Sequence, residues 1–337
     1  MPVKVSELGE FGLIDLLSGI VSRSEADPGV VVGSGDDAAA WQVDGATLLA
    51  TTDTLVQGVH FSAESTWEEV GWKAVAINLS DIAAMGGVPQ YALVALCLPA
   101  DSEVDDAVSL CRGMMQIADR FKVGVIGGNI SSAPVMVVTL TLIGRAQAQG
   151  ILTRSAAAPG DLIAVTGCLG SSAAGLRMLS QNLRFPPETT ACLRRAHLQP
   201  EPRIAEGQLL VKHGVRAAID VSDGLLADLG HMCEASKVGA VIEAERLPIH
   251  PDVRETFPEE ALDLALAGGE DYELLFTASG DVVDSVRASI GASGSGTDCP
   301  VTVIGEITPE GGVTVVDKES RPLPVSGKGW DHFGKRG

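Results

Sequence analysis

Aromatic residues are scarce in this chain: Phe, Trp and Tyr together make 4% of its 337 residues. Hydrophobic residues still reach 45%, so sizeable cores are expected, filled by Ala, Val and Leu. Basic residues are few as well. There are 24 Lys and Arg against 44 Asp and Glu, a formal net charge of −20. Such a chain repels nucleic acid and anionic membrane surfaces, so neither is an expected partner. It also repels ATP unless cations intervene. An acidic protein that acts on phosphates is therefore expected to bind metal.

Other absences narrow the class. The six cysteines (Cys97, Cys111, Cys168, Cys192, Cys233 and Cys299) include no CxxC pair. They read as reduced core thiols of a cytoplasmic protein, not as a zinc site or a disulfide frame. No run of ~20 apolar residues occurs, so no membrane span is expected. Met1 to Glu10 is polar and does not read as a signal peptide. No GxGxxG follows the first expected strand and GxxxxGK[ST] is missing, which makes Rossmann and P-loop readings weak.

What the chain does have is carboxylates where apolar runs stop. Six acidic clusters recur: Gly35-Asp36-Asp37-Ala38, Thr51-Thr52-Asp53-Thr54, Asn78-Leu79-Ser80-Asp81, Asp220-Val221-Ser222-Asp223-Gly224, Asp228 and Gly268-Gly269-Glu270-Asp271. Asp alone favours turns and helix N-caps, and that reading suits any single cluster. The set as a whole, with small and hydroxylated neighbours, suits hard divalent cations and phosphate.

The length suggests two domains of ~150 residues. Helices are expected at Phe11–Ser22, Thr66–Met85, Val104–Phe121 and Ser171–Leu183, and from Ser222 through Glu234. Strands are expected at Val30–Val32, Ala38–Val43, Thr47–Thr52, Tyr91–Leu98, Val123–Ile126, Val135–Gly144, Leu162–Thr166, Val215–Asp220, Glu273–Thr277 and Val301–Ile307. Asp44-Gly45 reads as a hairpin turn. The apolar run Tyr91–Leu98 reads as a buried strand, and Gly127-Gly128-Asn129 as a tight turn at a strand end. Arg184–Thr190, with Pro186-Pro187, reads as a loop, and so does Gly291–Thr297. Composition turns small and polar over Ala146–Gly160, so the boundary is placed between residues 1–148 and 149–337. The element order favours an α/β (α+β) sandwich over a doubly wound sheet.

Individual residues keep two readings. Asp37 is a metal ligand or half of a turn pair. Thr51, Thr52 and Asp53 offer metal oxygens or form a Thr-rich edge strand. Asp81 lies on an otherwise apolar helix face, where a lone carboxylate is costly. Its partner is a metal or Lys73. Asp220 and Asp223 bracket a strand-to-helix junction whose free N–H groups suit phosphate, or Ser222 simply caps the helix. Arg154 contacts a nucleotide phosphate or lies on the surface.

Taken together, these motifs resemble the thiamine-monophosphate kinase family. That family shares a superfamily with aminoimidazole ribonucleotide synthetase, selenophosphate synthetase and a hydrogenase maturation factor. The residues that carry the resemblance are Gly35–Ala38, Thr52–Phe61 (TDTLVQGVHF), Lys73–Gly86 (KAVAINLSDIAAMG), Gly127–Asn129, Leu152–Ser155 and Pro159–Asp161. They continue with Ile219–Leu225, Gly268–Leu274 and Gly329–Phe333. They run in family order from about Gly9 to Phe333.

The resemblance implies a two-domain aminoimidazole ribonucleotide synthetase-like fold. Its N-terminal mixed sheet with helices would bind metal and ATP and pair with a second subunit as a barrel-like homodimer. Its C-terminal α/β sandwich would complete the site. The implied reaction is ATP-dependent phosphorylation of thiamine monophosphate to thiamine diphosphate by direct in-line transfer. Several magnesium ions would be held by residues matching Asp37, Thr51, Thr52, Asp53, Asp81, Asn129, Asp220 and Asp223. Asp53, Asp81 and Asp223 would be the catalytic carboxylates. Gly128, Asn129, Arg154 and Ser222 would contact ATP, and His60, Glu270 and Trp330 the acceptor. Trp330 can stack on a cationic ring; Glu270 can balance the ring's charge or bond its aminopyrimidine. Where the family often has Gly-Gly-Asp-Thr, this chain has Gly127-Gly128-Asn129-Ile130, one charge fewer at a magnesium site.

Two rivals remain. One is a sister enzyme, although selenophosphate synthetase carries a reactive residue near its N-terminus and no cysteine here precedes Cys97. The maturation factor ends in Cys, whereas this sequence ends at Gly337. The other is a non-catalytic magnesium-nucleotide sensor on the same scaffold.

Overall fold

The computed structural model describes residues 4–21, 28–292 and 299–325. Trp330 and most of Gly291–Thr297 lie outside these residues. The N-terminal half contributes α1 (Val5–Val21), β1 (Val30–Val32), β2 (Ala39–Val43), β3 (Ala46–Val56), α2 (Trp67–Ala84), β4 (Val88–Leu98), α3 (Val104–Arg120), β5 (Gly124–Ser132) and β6 (Val137–Arg145). Among the described residues its strands form one mixed sheet in the order β1-β2-β3-β6-β4-β5. The β2–β3 hairpin turns at Asp44-Gly45, and both turn residues have positive φ.

The second half contributes β7 (Leu162–Thr166), α4 (Ser171–Ser180), α5 (Pro187–Leu198), α6 (Ile204–Lys212), β8 (Ala217–Asp220) and α7 (Leu225–Ser236). It continues with β9 (Gly239–Glu243), α8 (Pro251–Thr256), α9 (Ala261–Ala267), β10 (Leu274–Ala278), α10 (Gly280–Ala292), β11 (Val301–Thr308) and β12 (Gly312–Val316). Its sheet runs β12-β9-β11-β7-β10-β8. Alternation along the strands buries both faces. Ala164, Ala218 and Phe276 face one core, with α6 and α10; Ile163, Val165, Ile219 and Leu275 face the other, with α4, α7 and α9. This is the α/β sandwich expected from the sequence.

Helix α2 positions the rest. Thr66 and Glu69 cap it reciprocally: the Glu69 N–H donates to Thr66 Oγ1 at 3.3 Å, and the Thr66 N–H donates to Glu69 Oε2 at 2.8 Å. Arg194 of α5 then clamps Glu69 with bonds of 2.7 and 2.6 Å. Where α2 crosses α3 the backbones touch. A Cβ on Gly71 would sit 2.0 Å from Leu110 O, and one on Gly113 would sit 1.9 Å from Glu68 O.

Several local expectations are corrected. Tyr91–Leu98 is not buried on both faces, because α2 and α3 cover only one side of the sheet. Ala92 is fully buried, whereas Tyr91 and Leu93 are 48% and 40% exposed. Gly127-Gly128-Asn129 is not a turn but the middle of β5, in register with Leu93, Val94 and Ala95. A Cβ on Gly128 would meet Val94 O at 1.8 Å, so glycine is needed there for close approach, not for turning. The loop at 184–190 ends early: Pro187 takes the first position of α5, where its missing N–H costs nothing. Helix α7 starts at Leu225 after Gly224 at φ +113, not at Ser222.

Replacing Gly113 with Ala tests the α2–α3 contact. Alanine favours helix by up to ~1 kcal/mol, but overpacking against the Glu68 carbonyl outweighs it. Net destabilisation of about 2 kcal/mol is expected from the denaturation midpoint.

Candidate active site

Two consecutive residues of α2 reach in different directions. Ser80 Oγ donates to Asp220 Oδ2 at the end of β8, at 2.5 Å. Asp81 Oδ2 accepts from Thr51 Oγ1 of β3, also at 2.5 Å. Carboxylate oxygens of Asp37, Asp81 and Asp220 consequently lie within 4.8 Å of one another. Asp37 and Asp220 are 8% and 1% exposed. The Arg154 guanidinium donates to Asp37 Oδ1 at 2.5 Å, and its backbone N–H reaches Asp36 at 3.1 Å. Asp37 Oδ2 is buried and has no hydrogen-bond partner among the described residues.

The electrostatics follow from crowding. Burial, then the Asp37 charge, pushes Asp220 up to about 8. Burial and the charges of Asp53, Asp220 and Asp37 hold Asp81 well above the usual carboxylate range. Burial and Asp37 push Asp36 up to about 6. Arg154 is the cation that answers this charge, and it is not enough. Oxygen ligands at this spacing, crowded and short of positive charge, fit hard divalent cations.

The other expected site residues are placed as follows. Asp53 lies beside the trio, near enough for its charge to act on Asp81 and Asp220. The period-2 alternation of β3 sends Thr52 to the opposite face, where its hydroxyl donates to Leu140 O at 3.1 Å. Only its backbone remains near the cluster. Gly128 and Asn129 pair through β4 and β6 with Asp53 and Thr54. Three strand spacings, about 14 Å, separate them from the cluster within one chain. Asp223 lies on the loop after β8. The N–H groups of Ser222, Asp223 and Gly224, expected to be free for phosphate, all donate to Asp228 Oδ2 at 3.0–3.1 Å. That acidic residue thus shapes the loop.

Asp271 is structural too. It accepts from the N–H groups of Gly170 and Ser172 at 2.6 and 3.0 Å and so caps α4. Burial pushes it up to about 7. Lys73 does not pair with Asp81, which settles that alternative. Its Nζ lies 2.7 Å from Glu270 Oε1. His60 Nδ1 accepts the Val56 N–H at 3.0 Å. Against burial, which raises it, the Lys73 ammonium holds Glu270 below the usual carboxylate range, and His60 is near enough to contribute. His60 and Glu270 therefore share one region. Asp36 and Ser80 fall within the acidic clusters read from the sequence, with no separate role given to them there; His197, on a helix not foreseen, carried no signal and was missed.

Residues 35–146 match AIR synthase related protein, N-terminal domain, and residues 158–318 match AIR synthase related protein, C-terminal domain. The chain belongs to the AIR synthase related family. Within it, the thiamine-monophosphate kinases are similar along almost the whole chain. That of Escherichia coli (strain K12) is 39% identical over 330 residues, 96% of this chain and 98% of the relative. That of Aquifex aeolicus (strain VF5) is 35% identical over 335 residues, 98% and 100% of the two chains. The solved structure of AaThiL complexed with AMPPCP and TMP superposes with a TM-score of 0.86 at 34% identity, covering 99% of this chain and 100% of that one. The hydrogenase maturation protein HypE of E. coli, at 18% identity and a TM-score of 0.68, covering 94% of this chain and 98% of that one, shares the fold.

A folded-state pKa raised above ~3.8 means that ionisation opposes folding as pH climbs. Stability of the metal-free protein should thus fall between about pH 4 and the Asp220 value of about 8. Asp220→Asn, which keeps an acceptor for Ser80, should recover on the order of 2 kcal/mol near pH 8 and nothing below pH ~4. Denaturant titrations at both ends of that range, in chelator, measure it.

Proposed function

We propose that this chain phosphorylates thiamine monophosphate to thiamine diphosphate with ATP, by direct in-line transfer. The observation that carries the reading is the convergence of Asp37, Asp81 and Asp220 within 4.8 Å, beside Arg154. It occurs in a chain similar over 99% of its length to a kinase whose complex holds AMPPCP and TMP.

Asp37, Asp81 and Asp220 would hold magnesium, with Thr51, Asp53 and Asp223 at the rim. When bound, magnesium supplies charge neutralisation on the transferred and acceptor phosphates. Arg154 releases Asp37 and turns to the nucleotide phosphates. The acceptor phosphate is already ionised near neutral pH, so no strong general base is required. His60, whose Nδ1 is occupied by the Val56 N–H, acts as an acceptor contact and not as a phosphorylated intermediate. Ser222 presents its hydroxyl to ATP, since its N–H is engaged with Asp228. Gly128 and Asn129 line a cavity of about 460 Å³ walled by Val94, Leu96, Leu110 and Met114. An apolar slot beside bare glycine backbone suits a purine ring.

A homodimer accompanies this reading. Tyr91 and Leu93, beside Thr139 and Thr141, form a sheet face that no described element covers, and among the described residues β5 is an edge strand. A second copy of the chain closes that face into the barrel. The N-terminal domain, 1–148, carries Asp37, Thr51, Asp53, Asp81 and the dimer contact; 149–337 adds Asp220 and Asp223 and completes the ATP and acceptor sites. A cytoplasmic location suits the six free thiols. No helix among the described residues is long and apolar enough to cross a membrane.

Purified protein with ATP, magnesium and thiamine monophosphate should form thiamine diphosphate, followed by chromatography, and free thiamine should give none. Asp53→Ala should lower the rate by at least about 100-fold, and chelation should abolish it. ATP binding without product would overturn the kinase reading. Leu93→Glu should convert the dimer to monomer in light scattering; an unchanged mass would remove this face from the interface.

A further inference from the structure

Lys73 stands on the face of α2 that also carries Val70, Ala74 and Ile77, and it is 1% exposed. A buried ammonium is costly unless a carboxylate answers it. The answer is Glu270, across the junction of the two halves, at 2.7 Å. Among the described residues Nζ forms no aligned hydrogen bond, so this contact is an ion pair. Glu270 is itself tightly held. Its backbone is left-handed at φ +67, and its N–H donates to Ser222 O at 2.7 Å. Its Oε2 lies 3.3 Å from His197 Nδ1, which also lies 3.1 Å from Ser172 Oγ.

The charges in this group add to zero. Burial, followed by the Lys73 ammonium, pushes His197 down to about 4, so the imidazole is neutral and adds no charge near pH 7. Lys73 supplies one positive charge and Glu270 one negative. Yet the Glu270 side chain keeps 26% exposure, and a carboxylate oxygen has more than one lone pair to offer. A carboxylate already balanced by an ammonium is a weak counter-ion. It remains a strong, well-aimed hydrogen-bond acceptor.

Resting on the kinase reading above, we propose that Lys73 is a positioning residue that sets acceptor specificity. It fixes Glu270 to accept from the exocyclic amine of the acceptor's pyrimidine, not to neutralise the ring cation. His197 lies behind the second oxygen, with Ser172 against the same ring nitrogen. The ring's positive charge is then left to the overall negative field of the protein.

The test compares thiamine monophosphate with its analogue bearing a carbonyl in place of that amine, at saturating ATP and magnesium. The wild type should prefer the amine by about tenfold or more in kcat/KM, as loss of a bond to a charged group implies. Lys73→Met should raise KM for thiamine monophosphate about tenfold, leave kcat within about twofold and KM for ATP unchanged, and erase the preference. Lys73→Arg should restore it. Equal losses for both acceptors, or a parallel rise in the KM for ATP, would reduce Lys73 to a clamp between domains and overturn the proposal. Should Lys73→Met not fold, the double variant Lys73→Met with Glu270→Gln removes both charges together. The preference should be lost there as well, and a retained preference would overturn the proposal. A wild type that makes no diphosphate from either acceptor would instead sink the kinase reading.

Discussion

Repulsion among buried carboxylates is the constraint on which this structure turns. Asp37, Asp81 and Asp220 come from three different segments and are brought within 4.8 Å of one another. Left in water, they would separate. They are held by neighbours that do other work at the same time: Ser80 ties Asp220 to α2, Thr51 ties Asp81 to β3, and Arg154 ties Asp37 to the start of the second half. Each tie crosses between elements far apart in the chain. Folding therefore assembles the charge, and the rest of the fold resists its dispersal. The single guanidinium among them leaves the cluster short of positive charge, which is the condition under which hard cations and their phosphate ligands bind best.

The same chemistry recurs away from the cluster with a different result. Asp228 and Asp271 are as acidic and as buried as the trio, yet each spends its oxygens on backbone N–H groups. Glu273 is claimed by Arg203 and Thr166. These side chains shape the loops that carry Ser222, Asp223 and Glu270. The acidic composition of the chain thus divides into carboxylates crowded against one another at the cluster and carboxylates that bend backbone.

That division was not legible in the sequence. The six acidic clusters looked alike there, because most sit where an apolar run stops, among small or hydroxylated neighbours. What separates Asp220 from Asp228 is the direction of approach of an N–H, which tertiary structure alone decides. The strands β1 to β8, β10 and β11 and the helices α2, α3 and α4 were readable from periodicity, whereas β9 and β12 were not expected; the capping pair Thr66 and Glu69 marks the start of α2. The exposed face of β4 was not readable, since an apolar run looks the same whether one helix layer covers it or two. Gly128 misled for a related reason. A glycine needed for close approach to Val94 has the same letter as one needed for a turn. The strand β3 shows the opposite case: alternation, visible in the sequence, would have separated Thr52 from Thr51 and Asp53 had it been applied to the motif.

Ser80 and Lys73 sit on one helix of the first half and hold Asp220 and Glu270 of the second. Rotation of one half away from the other would strip a buried ammonium of its counter-charge and leave Asp220 without its hydroxyl partner at the same moment. The two contacts therefore resist such an opening together, and neither can be lost by domain rotation without the other.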